Sequence, residues 1–415
     1  MLRLLRATLR AIPLYAGLAL VAPALLAATP PGVLIIGQVA EPQSLDPQVT
    51  TAANDSRSLV NLYDGLVRNA PGSLAIEPAL PRRSELSADG LRYTSHLRAG
   101  AKFHDGTPVD AAAVRLTFER MLNKQPPHYP PGPFPLSFFC SSIQKIDTPD
   151  AATVVFTLDK AFAPLLANLA TPTGLIVSPT AVKKYDRDFG RHPVGSGAFR
   201  FGDWRANQRV LLNANAGYWD GAPKLQAAVF RPITDGSTRT ADMLSGRLAV
   251  MVEVPPDTVA RLARDPQFRL QQAVGPHVWF VWLNNREKPF DDVRVRQAVN
   301  YAVNKQSLVD KVLQGAAQVA DGPIPSAFSW ARNDAVQPYP YDPDKARALL
   351  KAAGAAGAGW GGAERAGALD GAGKARGAPA TARSTSWASQ WATGAGTRPS
   401  MGLRQSKRAP LAASA

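Results

Sequence analysis

The sequence predicts a mixed α/β fold, α+β in the way its elements follow one another. Three observations carry that expectation. Strand-type runs and helical stripes alternate between residues 33 and 351. The chain has 415 residues, 45% of them hydrophobic, which is enough for two or three domains. No run of eighteen apolar residues follows the first thirty, and Cys140 is the single cysteine, so neither a polytopic membrane protein nor a disulfide framework fits.

The elements follow in order. VLIIGQV at 33–39 is a compact β-rich run, and AEPQSLDP behind it is a turn around Pro42 and Pro47. Asp55 or Ser56 then caps a helix whose stripe is Leu59, Leu62, Tyr63 and Leu66. In LRYTSHL, Leu91, Tyr93, Ser95 and Leu97 alternate with more polar partners, as on a strand, and Asp105-Gly106 makes a turn. Asp110 caps a second helix with Val114, Phe118, Met121 and Leu122 on one face. QPPHYPPGPFP is too rich in proline to be anything but a loop, and IQKI, TPDAA and TVVFTL read as a hairpin. GAFRFGDW, QRVLLNAN and AAVFRPI are further strands, followed by helices around TRTADMLSGRL and PDTVARLARD.

HVWFVWLNN is the most apolar run. As a strand it carries Trp279, Val281 and Leu283 on one face and Phe280, Trp282 and Asn284 on the other. Such a strand is either central and covered on both sides, or has one face open to a ligand pocket. Asp291 then caps a helix with Val295, Ala298, Val299 and Ala302, and Asn304 precedes another that ends at Gly315. Asp342 and Pro343 start DKARALLKA, a helix with no domain after it to pack into.

The charge of +15 is divided among three regions: three at residues 1–28, six over 29–351 and six at 352–415. The body therefore has no basic stripe, and a nucleic-acid partner is not expected. Residues 1–28 read as a Sec-type signal peptide, with a basic start, a short apolar stretch and small residues before Ala28. The competing reading is an uncleaved anchor helix. Export together with a lone thiol fits the periplasm. From Gly354 to Ala415 there is no Val, Ile, Phe or Tyr, and such composition predicts a disordered tail. Trp360, Trp387 and Trp391 within it suggest a shifted reading frame of a GC-rich gene.

Four ordered blocks carry a resemblance. They are EPQSLDP with YDGLVR; PALPRRSELSADGLRYTSHLRAGAKFHDGTPVDAAAVRLTFERML; IVSPTAVKKYDRDFGRHPVGSGAFRFGDW with NAGYWDGAPKLQAAVFRPITDGSTRTADMLSG; and PFDDVRVRQAVNYAVNKQSLVDKVLQGAAQVADGPIP with PYPYDPDKARALLKAAG. Over residues 33–354 the chain resembles the extracytoplasmic solute-binding proteins of peptide and nickel ABC transporters, family 5, to which the dipeptide- and oligopeptide-binding type belongs. It departs from the pattern at Ala198, where the family usually has proline, and at LAVMV.

The resemblance implies a two-lobed periplasmic binding protein fold. The first lobe would span 29–274, with an inserted subdomain at about 56–180. A partial second lobe would span 275–353, and the tail 354–415. It also implies a monomer that takes a small peptide or related organic solute, without cofactor or metal, to an ABC permease in the inner membrane. Alternatives within that frame are a nickel-chelate, haem or other non-peptide solute, and a non-functional truncated remnant.

The family's charged ligand partners lie beyond the point where this chain departs from it, which leaves a weaker set of candidates. These are Thr50, Asn54 and Asp55 after the first strand, Leu136 and Phe138 in the proline-rich loop, Thr171 and Thr173 in ATPTG, and Trp279 with Trp282. An enzyme is not expected. His96, His104, His128, His192 and His277 form no HExxH pair, His104-Asp105 belongs first of all to a turn, and Ser196 in VGSGAF is not a GxSxG elbow.

Overall fold

A computed structural model describes residues 30–122, 132–328, 331, 333 and 335–355. The expected signal peptide, the tail beyond residue 355 and part of the proline-rich loop lie outside the described residues.

The first strand, β1 (Val33–Gln38), pairs in parallel with β10 (Ala227–Pro232) on one side and with β11 (Val250–Met251) on the other. Beyond β10 the sheet continues antiparallel through β9 (Arg209–Ala214) and β8 (Phe199–Arg205), giving the order β11-β1-β10-β9-β8. Helix α1 (Ala53–Leu62) presents Leu59 and Leu62 to the core beside Ile36, Val210, Leu212 and Phe230.

Between β1 and β8 the chain builds a second sheet of its own. Strands β4 (Pro81–Leu86), β5 (Arg92–Leu97), β6 (Ile143–Asp150) and β7 (Thr153–Leu158) pair antiparallel in the order β4-β5-β7-β6, after the small ribbon of β2 (Val67–Asn69) and β3 (Ile76–Pro78). The period-two pattern of LRYTSHL is obeyed: Tyr93, Ser95 and Leu97 are buried. Helix α2 (Ala111–Leu122) packs on this sheet, with Phe118 edge-on to Phe156 at 5.0 Å. Asp110 caps it, accepting a hydrogen bond from the Ala113 amide at 2.9 Å. The edge strand β4 starts with proline and exposes Arg82, Arg83 and Glu85, residues that discourage pairing with another chain.

Short helices α3 (Leu165–Leu169) and α4 (Pro179–Tyr185) lead back to the first sheet. After β10, α5 (Gly236–Leu244) crosses to β11 and α6 (Pro256–Arg264) follows. Then come α7 (Val293–Ala302), a one-turn α8 (Lys305–Ser307) and α9 (Pro343–Ala352). No helix among the described residues is long and apolar enough to cross a membrane.

Four expectations need correcting. Helix α1 begins at Ala53, and Ala52 at its start supplies no side-chain cap. Asp55 sits inside the first turn because its carboxylate is engaged with the preceding loop. Asp292, not Asp291, caps α7, through the Arg294 amide at 2.8 Å. HVWFVWLNN joins no sheet, since no strand among the described residues lies beside it to take its N–H and C=O groups. Trp279 and Trp282 are consequently 71% and 65% exposed rather than covered. Finally, α9 does have a packing partner. It lies on α7, where Val295, Ala298 and Ala346 are buried, Arg294 donates to the Ala352 carbonyl at 2.7 Å, and the Lys345 ammonium sits 4.4 Å from the Tyr301 ring.

Candidate functional site

Because β1, β10 and β11 run parallel, their carboxyl ends emerge along one edge of the sheet, and β1 lies where the connection through α5 crosses from one neighbour to the other. That edge is where open α/β sheets place their ligands. Three loops and the first turns of α1 meet there. Arg57 of α1 donates to Asn54 Oδ1 at 2.5 Å and to Glu253 Oε1, just past β11, at 2.7 Å. Glu253 has a left-handed backbone, φ 56°, and its carbonyl accepts from Arg239 at 3.2 Å. Arg239 is buried and also donates to the carbonyls of Ile233 (2.6 Å) and Thr234 (3.0 Å), so one guanidinium ties the loops after β10 and β11 together. At the end of β1, Gln38 is fully buried. Its amide donates to the Ala40 carbonyl at 2.9 Å, while its Oε1 is without a partner among the described residues.

The EPQSLDP loop forms the floor. Asp55 accepts the amides of Gln43 (3.0 Å) and Ser44 (3.3 Å) and the Thr50 hydroxyl. Burial raises its pKa above the ordinary carboxylate value, against the lowering effect of those hydrogen bonds, that of Thr50 first. Further in, Arg120 reaches Asp46 Oδ2 at 2.5 Å and Gln48 Oε1 at 3.0 Å, and Gln48 donates to the Leu175 carbonyl at 2.8 Å. All three side chains are buried, so the loop is pinned between the two sheets.

The structure thus brings Thr50, Asn54 and Asp55 together under the crevice, although all three are buried and face protein groups. Thr173 is buried too, with a hydroxyl that has no partner among the described residues, and its carbonyl accepts from Gln48 at 3.4 Å. Thr171 donates to the Asn168 carbonyl at 2.6 Å. Leu136 and Phe138 belong elsewhere, to a turn that packs on α2 and α3, where Phe138 is 60% exposed against the Phe139 ring. Trp279 and Trp282 are not gathered with the others, and Trp282 meets Phe280 edge-on at 5.0 Å. Sequence reasoning missed Gln38, Arg57, Arg239 and Glu253. Only the Asn54–Arg57 pair, three apart on one helix, had a local signal.

The residues weighed for catalysis have structural partners. His104 donates from Nε2 to the Gly197 carbonyl at 3.0 Å, and Asp105 accepts from Ser178 (2.6 Å) and Thr107 (2.5 Å). Ser196 donates to Asp64 at 2.9 Å. The buried Asp64 carboxylate also takes Tyr218 and Trp219, each at 2.9 Å, linking YDGLV to GYWDG. Burial depresses His104 to about 4, from 6.5 when free. An unfolded chain binds that proton below pH 6.5 and the folded one does not until about 4, so the stabilisation is complete above 6.5 and lost as pH falls through that window. The loss is expected to reach about 2–3 kcal/mol. Urea midpoints between pH 7 and pH 4 check it: His104→Gln should flatten the slope, and an unchanged slope would refute the assignment.

With this geometry in place, the comparisons with known proteins are informative. Residues 75–388 match the family model of bacterial extracellular solute-binding proteins, family 5. The glutathione-binding protein GsiB of Salmonella choleraesuis is 36% identical over 306 residues, covering 73% of this chain and 58% of that protein. The dipeptide-binding protein of Escherichia coli is 34% identical over 358 residues, covering 81% of this chain and 66% of that protein. The periplasmic binding protein DppA of Helicobacter pylori, solved with the peptide STSA, superposes with a TM-score of 0.72 at 31% identity, over 78% of this chain and 66% of that one. The chain therefore spans about 58–66% of the length of these relatives. Its mixed α/β architecture is that of the periplasmic binding proteins, and by the family match over most of its length the chain belongs to family 5 of the bacterial extracellular solute-binding proteins.

Proposed function

We propose that the chain captures a small peptide or related organic solute in the periplasm, as a monomer and without chemical change, and delivers it to an ABC permease in the inner membrane. The observation that carries this reading is the polar crevice at the carboxyl ends of β1, β10 and β11, held rigid from below by Asp55 and Arg120. A carrier needs such a shelf, because a peptide leaving water must find protein groups for its backbone and its charged ends. The relatives named for dipeptide and glutathione binding support the same ligand class. So does the engagement of His104, Asp105 and Ser196 in structural hydrogen bonds, which leaves no convergent catalytic set on this lobe. The export that this role requires agrees with the reading of residues 1–28 as a signal peptide.

Thermal unfolding of the exported chain against alanyl-alanine, trialanine and glutathione tests the proposal. Ligand at a hundredfold excess over Kd is expected to stabilise by about 2.7 kcal/mol. No shift with any of the three, up to millimolar concentration, would reject it.

A further inference from the structure

The pair Arg57–Glu253 is unusual for a surface ion pair. An exposed pair adds at most about 1 kcal/mol to stability, so the fold has little use for one. Yet this one is carefully fixed. Asn54, itself buried, orients the guanidinium, and the loop carrying Glu253 is tied down through its own carbonyl by buried Arg239. Glu253 adopts a left-handed backbone that costs a residue with a side chain about 1–3 kcal/mol. Strain held in place by buried partners is the mark of a side chain aimed at something. Both side chains keep about a third of their surface open, 29% and 34%, at the edge where ligands of such sheets bind. Among the described residues, Arg57 Nε and Glu253 Oε2 have no partner.

The two charges stand 2.7 Å apart, and this spacing selects among ligands. An ammonium and a carboxylate on one carbon are about 3 Å apart, whereas the two ends of an α-linked dipeptide are separated by about 6–7 Å. Only the former can place its carboxylate on Arg57 and its ammonium on Glu253 at once. Resting on the solute-binding reading above, we infer that Arg57 and Glu253 recognise a solute carrying an ammonium and a carboxylate on the same carbon, a γ-linked peptide rather than an α-linked one. The unpartnered, buried Gln38 Oε1 at the end of β1 is a further acceptor at the same edge.

γ-Glutamyl-alanine and α-linked glutamyl-alanine contain the same atoms and differ only in this feature. Titration calorimetry on the full chain should give about tenfold tighter binding of the γ isomer, a difference of about 1.4 kcal/mol. Arg57→Gln and Glu253→Gln should each bring the two isomers close to parity, with a melting temperature unchanged because the pair is exposed. Arg57→Lys, which keeps the charge but not the fork, should retain part of the preference. Equal binding of the isomers, or a preference that survives both glutamine variants, overturns the inference while leaving the solute-binding reading intact if alanyl-alanine still stabilises. Failure of every peptide to bind overturns both.

Discussion

Replacing Arg120 by alanine is expected to lower the stability of the chain by about 3–5 kcal/mol, the usual cost of removing one member of a buried ion pair. The side chain is fully enclosed, and its loss strands Asp46 and Gln48 without their donor in the interior. It also removes the guanidinium from beside the Phe134 and Phe189 rings, at 5.2 and 5.7 Å. Urea denaturation followed by circular dichroism reads the loss. Arg120→Met combined with Asp46→Asn, which removes both charges, should be less damaging than the sum of the two single changes. If the single variant loses less than about 1 kcal/mol, the pair is no anchor and the loop is held by something else.

Gly195→Ala is the second large effect, expected at about 3 kcal/mol or more, at the upper end of what overpacking costs. A Cβ there would stand 2.0 Å from the Leu62 carbonyl oxygen and 2.5 Å from Tyr63 Cδ1, and the first of these is backbone at the end of α1 that cannot swing aside. Gly197 has the same problem with the Asn61 carbonyl, at 2.4 Å. Gly217 serves as the control, because its Cβ would meet nothing closer than Asn215 Oδ1 at 3.7 Å, and Gly217→Ala should be close to neutral. Comparable losses at Gly195 and Gly217 would show that the close approach is not what VGSGAF is for.

These two sites show what the sequence could and could not disclose. Periodicity located β1, β5 to β10 and α2 within a residue or two, because each buries one face and its apolar residues recur at the period of the element. The aromatic run at 277–285 had the same kind of signal and misled, since a strand is made by its neighbours as much as by its own side chains. Arg120 lies between Glu119 and Met121 on α2 and reads as a solvated charge. Nothing local indicates that it faces Asp46, 74 residues away. The crevice was half legible: Thr50, Asn54 and Asp55 follow the first strand and could be named from that position. Glu253 comes to Arg57 from 196 residues further on and could not. The glycines of VGSGAF were readable as a demand for tight backbone, though not as a demand made by the end of α1.

The placement of β1 in the interior of its sheet sets an order of events during synthesis. Val33 to Gln38 pair with Ala227 to Pro232 and, beyond them, with Val250 and Met251, so the first strand to be made has no partner until most of the described chain exists. At ribosomal rates of about 5–20 residues per second, that wait is roughly ten to forty seconds. The four-stranded sheet, whose strands lie close together in sequence, can form inside that interval, whereas the sheet that carries the crevice cannot. The amino-terminal strand is thus kept open and extended for longest, a condition that favours handing the chain to an export channel before it closes.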